Sequence, residues 1–284
     1  MCVNVFYFLA LVYIMKLLYI LFIFMKSLLS IGLKPVFRPL SIETKPNVVV
    51  DNDFLKDKKM ISISPGGFKG IYMLGICLFI KDTFDLEDYV FSGASAGAWN
   101  ALTMCYKKDP KTLKENVLEY SLKHAKSIYE IEKLMKERFL LYSKTEDYDL
   151  RRLFIGVTTV ERLKSRVHIF YGFTSLEDAL DCCIASSHIP FITGGLINKY
   201  RNTYTFDGGF SKYPYLNSIQ SSLHITPSMW KEAPGHQGTG IFDITQYTTL
   251  FSRNKFDFNT LYESGYNDSV KNYDYLKYFL AKSY

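Results

Sequence analysis

One stretch of the sequence, Asp88 to Asn100, constrains the fold most strongly. A short apolar run, Tyr89 to Ser92, leads into Gly-Ala-Ser-Ala-Gly, and a helical run from Ala98 to Tyr106 follows. This is the G-x-S-x-G pattern with a strand before it and a helix after it, the context in which it forms a nucleophile elbow. The stretch therefore predicts an α/β fold with Ser95 as a candidate nucleophile.

The small residues of this motif have a physical reason. Ser95 must lie on a sharp, strained turn, so Gly93 and Gly97 on either side leave room for the backbone to bend. The first turn of the helix that follows directs backbone N–H groups and the positive end of the helix dipole toward the turn. This arrangement would stabilise a developing oxyanion. A turn that only packs a helix against a strand is the structural alternative.

Composition excludes several classes of function. The chain has 284 residues and a formal net charge of +6 without a dense Lys/Arg block, so nucleic-acid binding has little support. The same mild positive charge is compatible with an anionic membrane surface. The five cysteines show neither C-x-x-C nor metal-ligand spacing and are expected to be free thiols in a reducing compartment. We therefore expect no metal and no cofactor.

The N-terminal segment, residues 1–30, is strongly hydrophobic. Val3 to Met25 is long enough for a membrane-spanning helix, and Lys16 is its only charged residue. Basic residues follow it before the first acidic one, Glu43; they are Lys26, Lys34 and Arg38. This charge distribution predicts a single-pass membrane anchor with the catalytic part in the cytosol. A cleaved signal peptide, which implies secretion, and a translation start at Met15 or Met25 are the alternatives.

The remainder divides into a proline-containing linker, residues 31–58, and one folded domain, residues 59–284. Predicted strands are Lys59–Ser64, Tyr89–Ser92, Arg166–Tyr171, Thr203–Phe206 and Leu223–Thr226. Predicted helices are Ile71–Asp82, Ala98–Tyr106, Lys111–Tyr142, Leu176–Ser187 and Asp257–Phe279, the last interrupted near Gly265. Alternating strands and helices favour a sheet covered on both faces. The charged stretch Lys111–Tyr142 has one apolar face, typical of a helix covering the core; a mobile lid or a lipid-facing surface is the alternative.

Two further turns carry groups that suit the chemistry of Ser95. The first, Gly66 to Gly70, follows the first predicted strand and can expose backbone N–H groups to a ligand oxygen. The second, Asp207-Gly208-Gly209, places an acid at the end of a predicted strand. Each turn alone is a common loop sequence. Their order, together with the G-x-S-x-G motif, is far more specific.

The three motifs together resemble the patatin-like phospholipase family, whose hallmarks are a glycine-rich turn, G-x-S-x-G and D-G-[AG]. The resemblance covers about Met60 to Gly209. Two secondary blocks strengthen it: Ala185–Pro190 is similar to the family's A-S-x-x-I-P block, and Leu261–Tyr266 to its L-x-x-x-G-Y helix. The resemblance implies a three-layer α/β/α sandwich with a mainly parallel central sheet.

The resemblance also implies roles for individual residues. Ser95 would be the nucleophile and Asp207 its partner in a dyad without histidine, and the N–H groups of Gly66, Gly67 and Phe68 would form the oxyanion hole. Residues expected to support the motifs are Lys69, Gly70, Gly93, Gly97, Gly208 and Gly209. One departure stands at the start of the glycine motif, where Pro65 replaces the usual glycine and has no N–H to donate.

The implied activity is lipid acyl hydrolysis of the phospholipase A or lysophospholipase type, on a membrane lipid or another acyl ester at a membrane surface. The chemistry makes an unusual demand, since an ordinary aspartate, with a pKa near 3.9, is a feeble base for a serine hydroxyl. A fixed Ser–Asp geometry and a preorganised oxyanion hole would have to compensate.

Two other functions remain open from the sequence. An α/β-hydrolase esterase with a Ser–Asp–His triad would use Ser95 and Asp207 with either His224 or His236, an order along the chain that the motif permits. A catalytically silent, membrane-tethered lipid-binding module would keep the fold without the activity. Pro65 is the feature that favours the silent module.

Overall fold

The computed structural model describes residues 52–125, 127–161, 164–231 and 257–280. The predicted membrane anchor, residues 1–30, and residues 31–51 of the predicted linker lie outside these ranges. Within them, none of the helices combines the length and the apolar character that crossing a bilayer requires.

The described strands form one sheet. They are β1 Lys59–Ile63, β2 Tyr89–Gly93, β3 Leu153–Glu161, β4 Lys164–Phe170, β5 Asn198–Tyr200, β6 Thr203–Phe206 and β7 Ser221–Ile225. The strands are hydrogen-bonded in the order β5-β6-β3-β2-β1-β7; β2 and β6 pair with different parts of one edge of β3, and β4 pairs with its other edge. The predicted strands agree with the observed ones to within about two residues, but β3 and β5 were not predicted.

Strands β5 to β7 follow one another without an α-helix between them, and the described helices alternate with single strands only up to β2. The helices are α1 Asn52–Leu55, α2 Gly70–Thr83, α3 Ala96–Met104, α4 Pro110–Leu113, α5 Tyr120–His124, α6 Ile128–Tyr142, α7 Leu176–Ser186, α8 Phe258–Lys271 and α9 Tyr273–Leu280. A π-helical turn, Lys114–Glu119, joins α4 to α5, and short 3₁₀ turns include Gly67–Lys69 and Gly208–Phe210.

The sheet is mixed, and the expectation of a mainly parallel sheet is corrected. The pairs β1–β2, β1–β7 and β2–β3 are parallel, while β3–β4, β3–β6 and β5–β6 are antiparallel. Short connections explain two of the antiparallel pairs, β3–β4 and β5–β6. Only two residues separate β3 from β4 and two separate β5 from β6, whereas a parallel pair needs a crossover of a dozen or more.

The two faces of the sheet are covered unequally. One face packs under α2, α3, α7 and α9 through alternating strand residues such as Ile61, Phe91 and Ile155. The other face, which includes Phe154, packs against α1 and an irregular segment that contributes Leu216. A mixed α/β fold with a central sheet is therefore established. The described residues place the main helices on one face rather than in two equal layers.

Two predicted helices differ from the observed ones. The stretch Lys111–Tyr142 is divided into α4, the π turn, α5 and α6, and the chain is extended at Ala125 and Ser127 before α6 begins. The late helix continues through Gly265 and breaks at Asn272 instead. Gly265 is needed for packing, since a Cβ there would overlap the carbonyl oxygen of Tyr72 on α2.

Candidate active site

Ser95 lies on a strained turn between β2 and α3. Its backbone has φ 54° and ψ −128°, in the left-handed region that non-glycine residues rarely occupy. The turn is tight on both sides. A Cβ on Gly93 would overlap the carbonyl oxygen of Gly97, and a Cβ on Gly97 would overlap that of Ile63 at the end of β1. The motif glycines thus allow the close approach that this turn needs.

The sheet brings Asp207 to the same place. Strand β2 runs parallel to the first part of β3 and ends with Gly93 opposite Ile155. Strand β6 runs antiparallel to the later part of β3 and ends with Phe206 opposite Thr158. The ends of β2 and β6 therefore face each other along one edge of β3. The residues that follow these two ends form the site.

Ser95 and Asp207 are in direct contact. The Ser95 hydroxyl donates a hydrogen bond of 2.7 Å from Oγ to Oδ2 of Asp207, and each residue is only 5% exposed. The backbone N–H of Gly209 donates to Oδ1 of the same carboxylate at 2.6 Å. The N–H of Asp207 in turn donates to the carbonyl oxygen of His188 at 2.7 Å. Both carboxylate oxygens and the backbone of Asp207 are therefore fixed.

Burial makes Asp207 a better base than an ordinary aspartate. Loss of solvent raises the pKa of Asp207 to about 7, although the hydrogen bonds from Ser95 and Gly209 stabilise the carboxylate and oppose this rise. A general base is most effective when its pKa lies close to the working pH. The weakness expected of an aspartate base is thus largely removed by its surroundings.

Ser186, the last residue of α7, and Ser187, which follows it, form hydrogen bonds with the elbow and the helix after it. Ser186 Oγ accepts a hydrogen bond from the backbone N–H of Ser95 at 2.8 Å and donates to the carbonyl oxygen of Gly156 at 2.7 Å. Ser187 Oγ accepts from the indole N–H of Trp99 at 3.0 Å. Sequence reasoning noted these serines only as part of a motif block. Their position in that block was the available signal for a role in positioning Ser95.

The glycine-rich turn lies beside the elbow. Gly67 has φ 51°, which favours glycine, and begins the 3₁₀ turn that ends at Lys69. Gly67 and Phe68 line the same cavity as Ser95. Gly66 is buried behind them, where a Cβ would come within 2.8 Å of the Met73 methyl group.

Two contacts join this turn to the rest of the site. A Cβ on Gly70, the first residue of α2, would lie 2.5 Å from the Cβ of Ala96, so the turn packs directly against the first turn of α3. Pro65 packs on the turn Asp207–Gly209, here called the acid turn, because a Cβ on Gly209 would be 3.1 Å from the proline ring. Gly208 packs on the elbow, where its Cβ would be 2.7 Å from that of Ala94.

The site opens into an apolar cavity between α2 and α3 on one side and the segment from α4 to α6 on the other. Its apolar lining residues are Phe68, Ile71, Leu74, Trp99, Pro110, Leu113, Val117, Leu118, Leu122, Ile131, Met135 and Phe139. The segment Lys111–Tyr142, predicted to cover the core, therefore also forms a wall of the cavity.

Glu132 is a second buried acid in this cavity and was not identified from the sequence. It lies on α6, is 7% exposed and lines the cavity with Ser95 and Asp207. Burial raises its pKa well above the usual range, and the nearby charge of Asp207 acts in the same direction. A hydrogen bond with Ser187 opposes the rise. Burial and the charge of Asp207 thus both favour the protonated form of Glu132.

The structure does not bring His224 to Ser95. Its Nδ1 is 2.7 Å from Oγ of Ser62, on the face of the sheet opposite the cavity. His236 lies outside the described residues. Within the described residues no cluster of His, Cys, Asp or Glu could hold a metal ion. The four described cysteines are free thiols and buried; they are Cys77, Cys105, Cys182 and Cys183.

Comparisons with known proteins place these motifs in context. A family model described as patatin-like phospholipase matches residues 61–216. The human protein "Patatin-like phospholipase domain-containing protein 4" is 22% identical over an alignment of 245 residues. The alignment covers 74% of this chain and 94% of that protein.

Two solved structures are similar at lower levels. The VipD structure from Legionella pneumophila has a TM-score of 0.35 and 13% identity, with 68% of this chain and 52% of that chain covered. The ExoU–SpcU complex of the Pseudomonas aeruginosa type III secretion system has a TM-score of 0.34 and 14% identity, with 84% and 53% covered. The match spans about half the length of each solved chain.

Proposed function

Since the chain belongs to the patatin-like phospholipase family, a family of lipid acyl hydrolases, we propose that it cleaves carboxylic esters with a Ser95–Asp207 dyad. The observation that carries the proposal is the 2.7 Å hydrogen bond from Ser95 Oγ to Asp207 Oδ2 at the end of an apolar cavity.

In the first half of the reaction, Ser95 Oγ attacks the ester carbonyl carbon and its proton passes to Oδ2 of Asp207. The negative charge that develops on the carbonyl oxygen is stabilised by backbone N–H groups of the glycine-rich turn, Gly66, Gly67 and Phe68. The C–O bond to the alcohol then breaks. The alcohol leaves with the proton from Asp207, and the acyl group remains on Ser95.

In the second half, water replaces the alcohol and the roles are repeated. Asp207 accepts a proton from the attacking water, the acyl–Ser95 bond breaks, and Oγ regains the proton. The products are a fatty acid and an alcohol such as a lysophospholipid. The dyad needs no histidine because a base with a pKa of about 7 is half ionised at neutral pH.

The cavity supports a fatty acyl ester as the substrate class. Its lining is dominated by aliphatic and aromatic side chains, including Leu113, Met135 and Phe139, which favour an acyl chain through burial of apolar surface. Pro65 cannot donate to an oxyanion, but it packs against Gly209, whose N–H fixes Asp207. We assign Pro65 to the support of the acid turn.

We also propose that the enzyme is membrane-associated. The sequence of residues 1–30 supports an anchor, and the basic residues after it support a cytosolic catalytic domain. Secretion after cleavage of a signal peptide is the alternative, and glycosylation-site mapping with residues on either side of the segment distinguishes the two.

Fatty-acid release by the full-length protein tests the proposed function. The substrates are phospholipid vesicles and a dispersed triacylglycerol. We expect release by the wild type to fall at least about 100-fold in Ser95→Ala. Ser218→Ala, which changes an exposed serine, serves as the matched control and should match the wild type. Release that persists in Ser95→Ala would contradict the proposal.

A further inference from the structure

The loop between α7 and β5, residues 189–197, presents large apolar side chains to solvent directly beside the site. Phe191 is 72% exposed, and three more are exposed by 39% to 57%; they are Ile192, Leu196 and Ile197. We call these four residues the hydrophobic rim. Contiguous exposed apolar groups of this size mark a surface that contacts another apolar phase or a partner.

The rim is a defined structure. Thr193, between its two halves, is 4% exposed, accepts a hydrogen bond from the N–H of Ile189 at 2.8 Å and donates to the carbonyl oxygen of Ser187 at 3.0 Å. Phe191 has φ 64°, an unfavourable conformation for an aromatic residue, and this conformation accompanies the exposed position of its ring. The fold thus keeps these apolar side chains exposed, although both the backbone conformation of Phe191 and the contact with water are unfavourable.

The rim is continuous with the cavity. The inner side of Thr193 lines the cavity with Ser95 and Asp207. The carbonyl oxygen of His188, just before the loop, accepts the backbone N–H of Asp207. The loop that carries the rim is therefore also part of the wall of the cavity.

The chemistry around the rim suits a phospholipid surface. No Asp or Glu occurs between Asp181 and Asp207, whereas the exposed Lys199 lies in this interval, with its Nζ 4.7 Å from the ring centroid of Tyr204. Tyr129, 55% exposed, borders the loop at Gly194. Apolar side chains flanked by tyrosine and lysine are typical of groups that insert at a membrane interface near phosphate headgroups.

We propose that the hydrophobic rim inserts into a phospholipid bilayer and delivers the acyl ester to Ser95. This inference rests on the proposed function and names the surface through which it acts on a membrane. It is separate from the proposed anchoring by residues 1–30.

Fluorescence of the full-length protein tests the insertion without requiring catalysis. In a Ser95→Ala background, Phe191→Trp places a reporter on the rim, and Tyr278→Trp places one on α9, which packs against β7, at the other end of the strand order from β5. Tyr278 is 82% exposed and is a matched control. With vesicles of phosphatidylcholine and a minor share of phosphatidylserine, we expect a blue shift and quenching by brominated lipid at position 191 only.

Equal responses at positions 191 and 278 would overturn the proposal. A blue shift at position 191 that needs only a higher protein concentration, without vesicles, would overturn it in favour of contact with a second copy. The blue shift and the quenching are both measured in the Ser95→Ala background, so neither depends on whether the protein is a hydrolase.

Kinetics of a rim variant separate docking from chemistry. We expect Phe191→Ser combined with Leu196→Ser to lower vesicle hydrolysis at least about tenfold, because two apolar side chains no longer enter the bilayer. Hydrolysis of a water-soluble short-chain ester should be unchanged, since neither residue lines the cavity. An equal loss on both substrates would contradict docking, and absence of hydrolysis by the wild type on both would instead contradict the proposed function.

Discussion

At the scale of single residues, the site depends on burial of acids that would ionise freely in water. Asp207 combines a pKa raised to about 7 with hydrogen bonds that fix both of its oxygens. Burial alone would make the carboxyl neutral and useless as a base. The bonds from Ser95 and Gly209 keep part of the charged form accessible near neutral pH. In the proposed mechanism, the same opposition lets Asp207 act as a base without a histidine.

Glu132 gives a prediction about stability. Its pKa in the folded protein is raised, so above a pH of about 4.3 the unfolded chain releases a proton that the fold retains. The free energy of unfolding should then fall by about 1.4 kcal/mol per pH unit from this residue, until the pH reaches its folded pKa. We expect Glu132→Gln, which removes the titration, to match the wild type near pH 4 and to be more stable at pH 8.

Urea unfolding at the two pH values measures this difference. Glu137→Gln, on the same helix but exposed, should show no pH-dependent gain. If Glu132→Gln and Glu137→Gln respond alike to pH, the assignment of Glu132 as a buried acid with a raised pKa is incorrect.

At the scale of elements, helix α7 acts as the support of the elbow. Ser186→Ala would leave the buried N–H of Ser95 and the carbonyl of Gly156 without their shared partner. We expect the free energy of unfolding to drop by about 1–3 kcal/mol. We also expect kcat to fall about tenfold with little change in KM, since the nucleophile is displaced while the acyl cavity is intact.

Ser121→Ala is a suitable control for this variant. Ser121 is also buried and donates to a helix carbonyl, that of Val117, but does not contact the dyad. A similar loss of stability with unchanged kcat is expected there. If the two variants lose stability alike and both keep full kcat, Ser186 has only a structural role.

The sequence identified the parts of the site whose geometry is local. The turns at Ser95 and Asp207 and the glycine turn at Gly67 each depend on small residues within a few positions, so a short pattern reveals them. Two interpretations of elements failed because they depend on distant contacts. Gly265 suggested a helix break, but it allows α8 to approach Tyr72 on α2. Strand β3 was missed, although it aligns the ends of β2 and β6.

Glu132 shows the same limit for side chains. A glutamate in a charged helical stretch resembles its exposed neighbours Lys133 and Glu137, and only the packing of α6 over the cavity distinguishes it. The sheet is mixed because of which strands pair with each other, and the sequence of a single strand does not specify its partner. The burial that raises the pKa of Asp207 is a property of the assembled site.

At the scale of the whole molecule, one arrangement relates fold to function. The ends of β2 and β6 meet along β3 and place Ser95 against Asp207, and the segment from α4 to α6 closes an apolar cavity over them. The hydrophobic rim continues that cavity to the surface. In the proposed function, this arrangement gives an acyl ester a path from an apolar phase to the buried Ser95.

The most direct measurement of the central claim is the rate at which a fluorophosphonate modifies Ser95. Its phosphorus would bond to Ser95 Oγ with loss of fluoride and transfer of the hydroxyl proton to Asp207. In the full-length protein, mass spectrometry should locate the adduct on Ser95, with a rate that rises through a pH of about 7 and then levels. In Asp207→Asn the rate should fall at least about 100-fold. Modification of Asp207→Asn at the wild-type rate, or of a residue other than Ser95, would contradict the dyad.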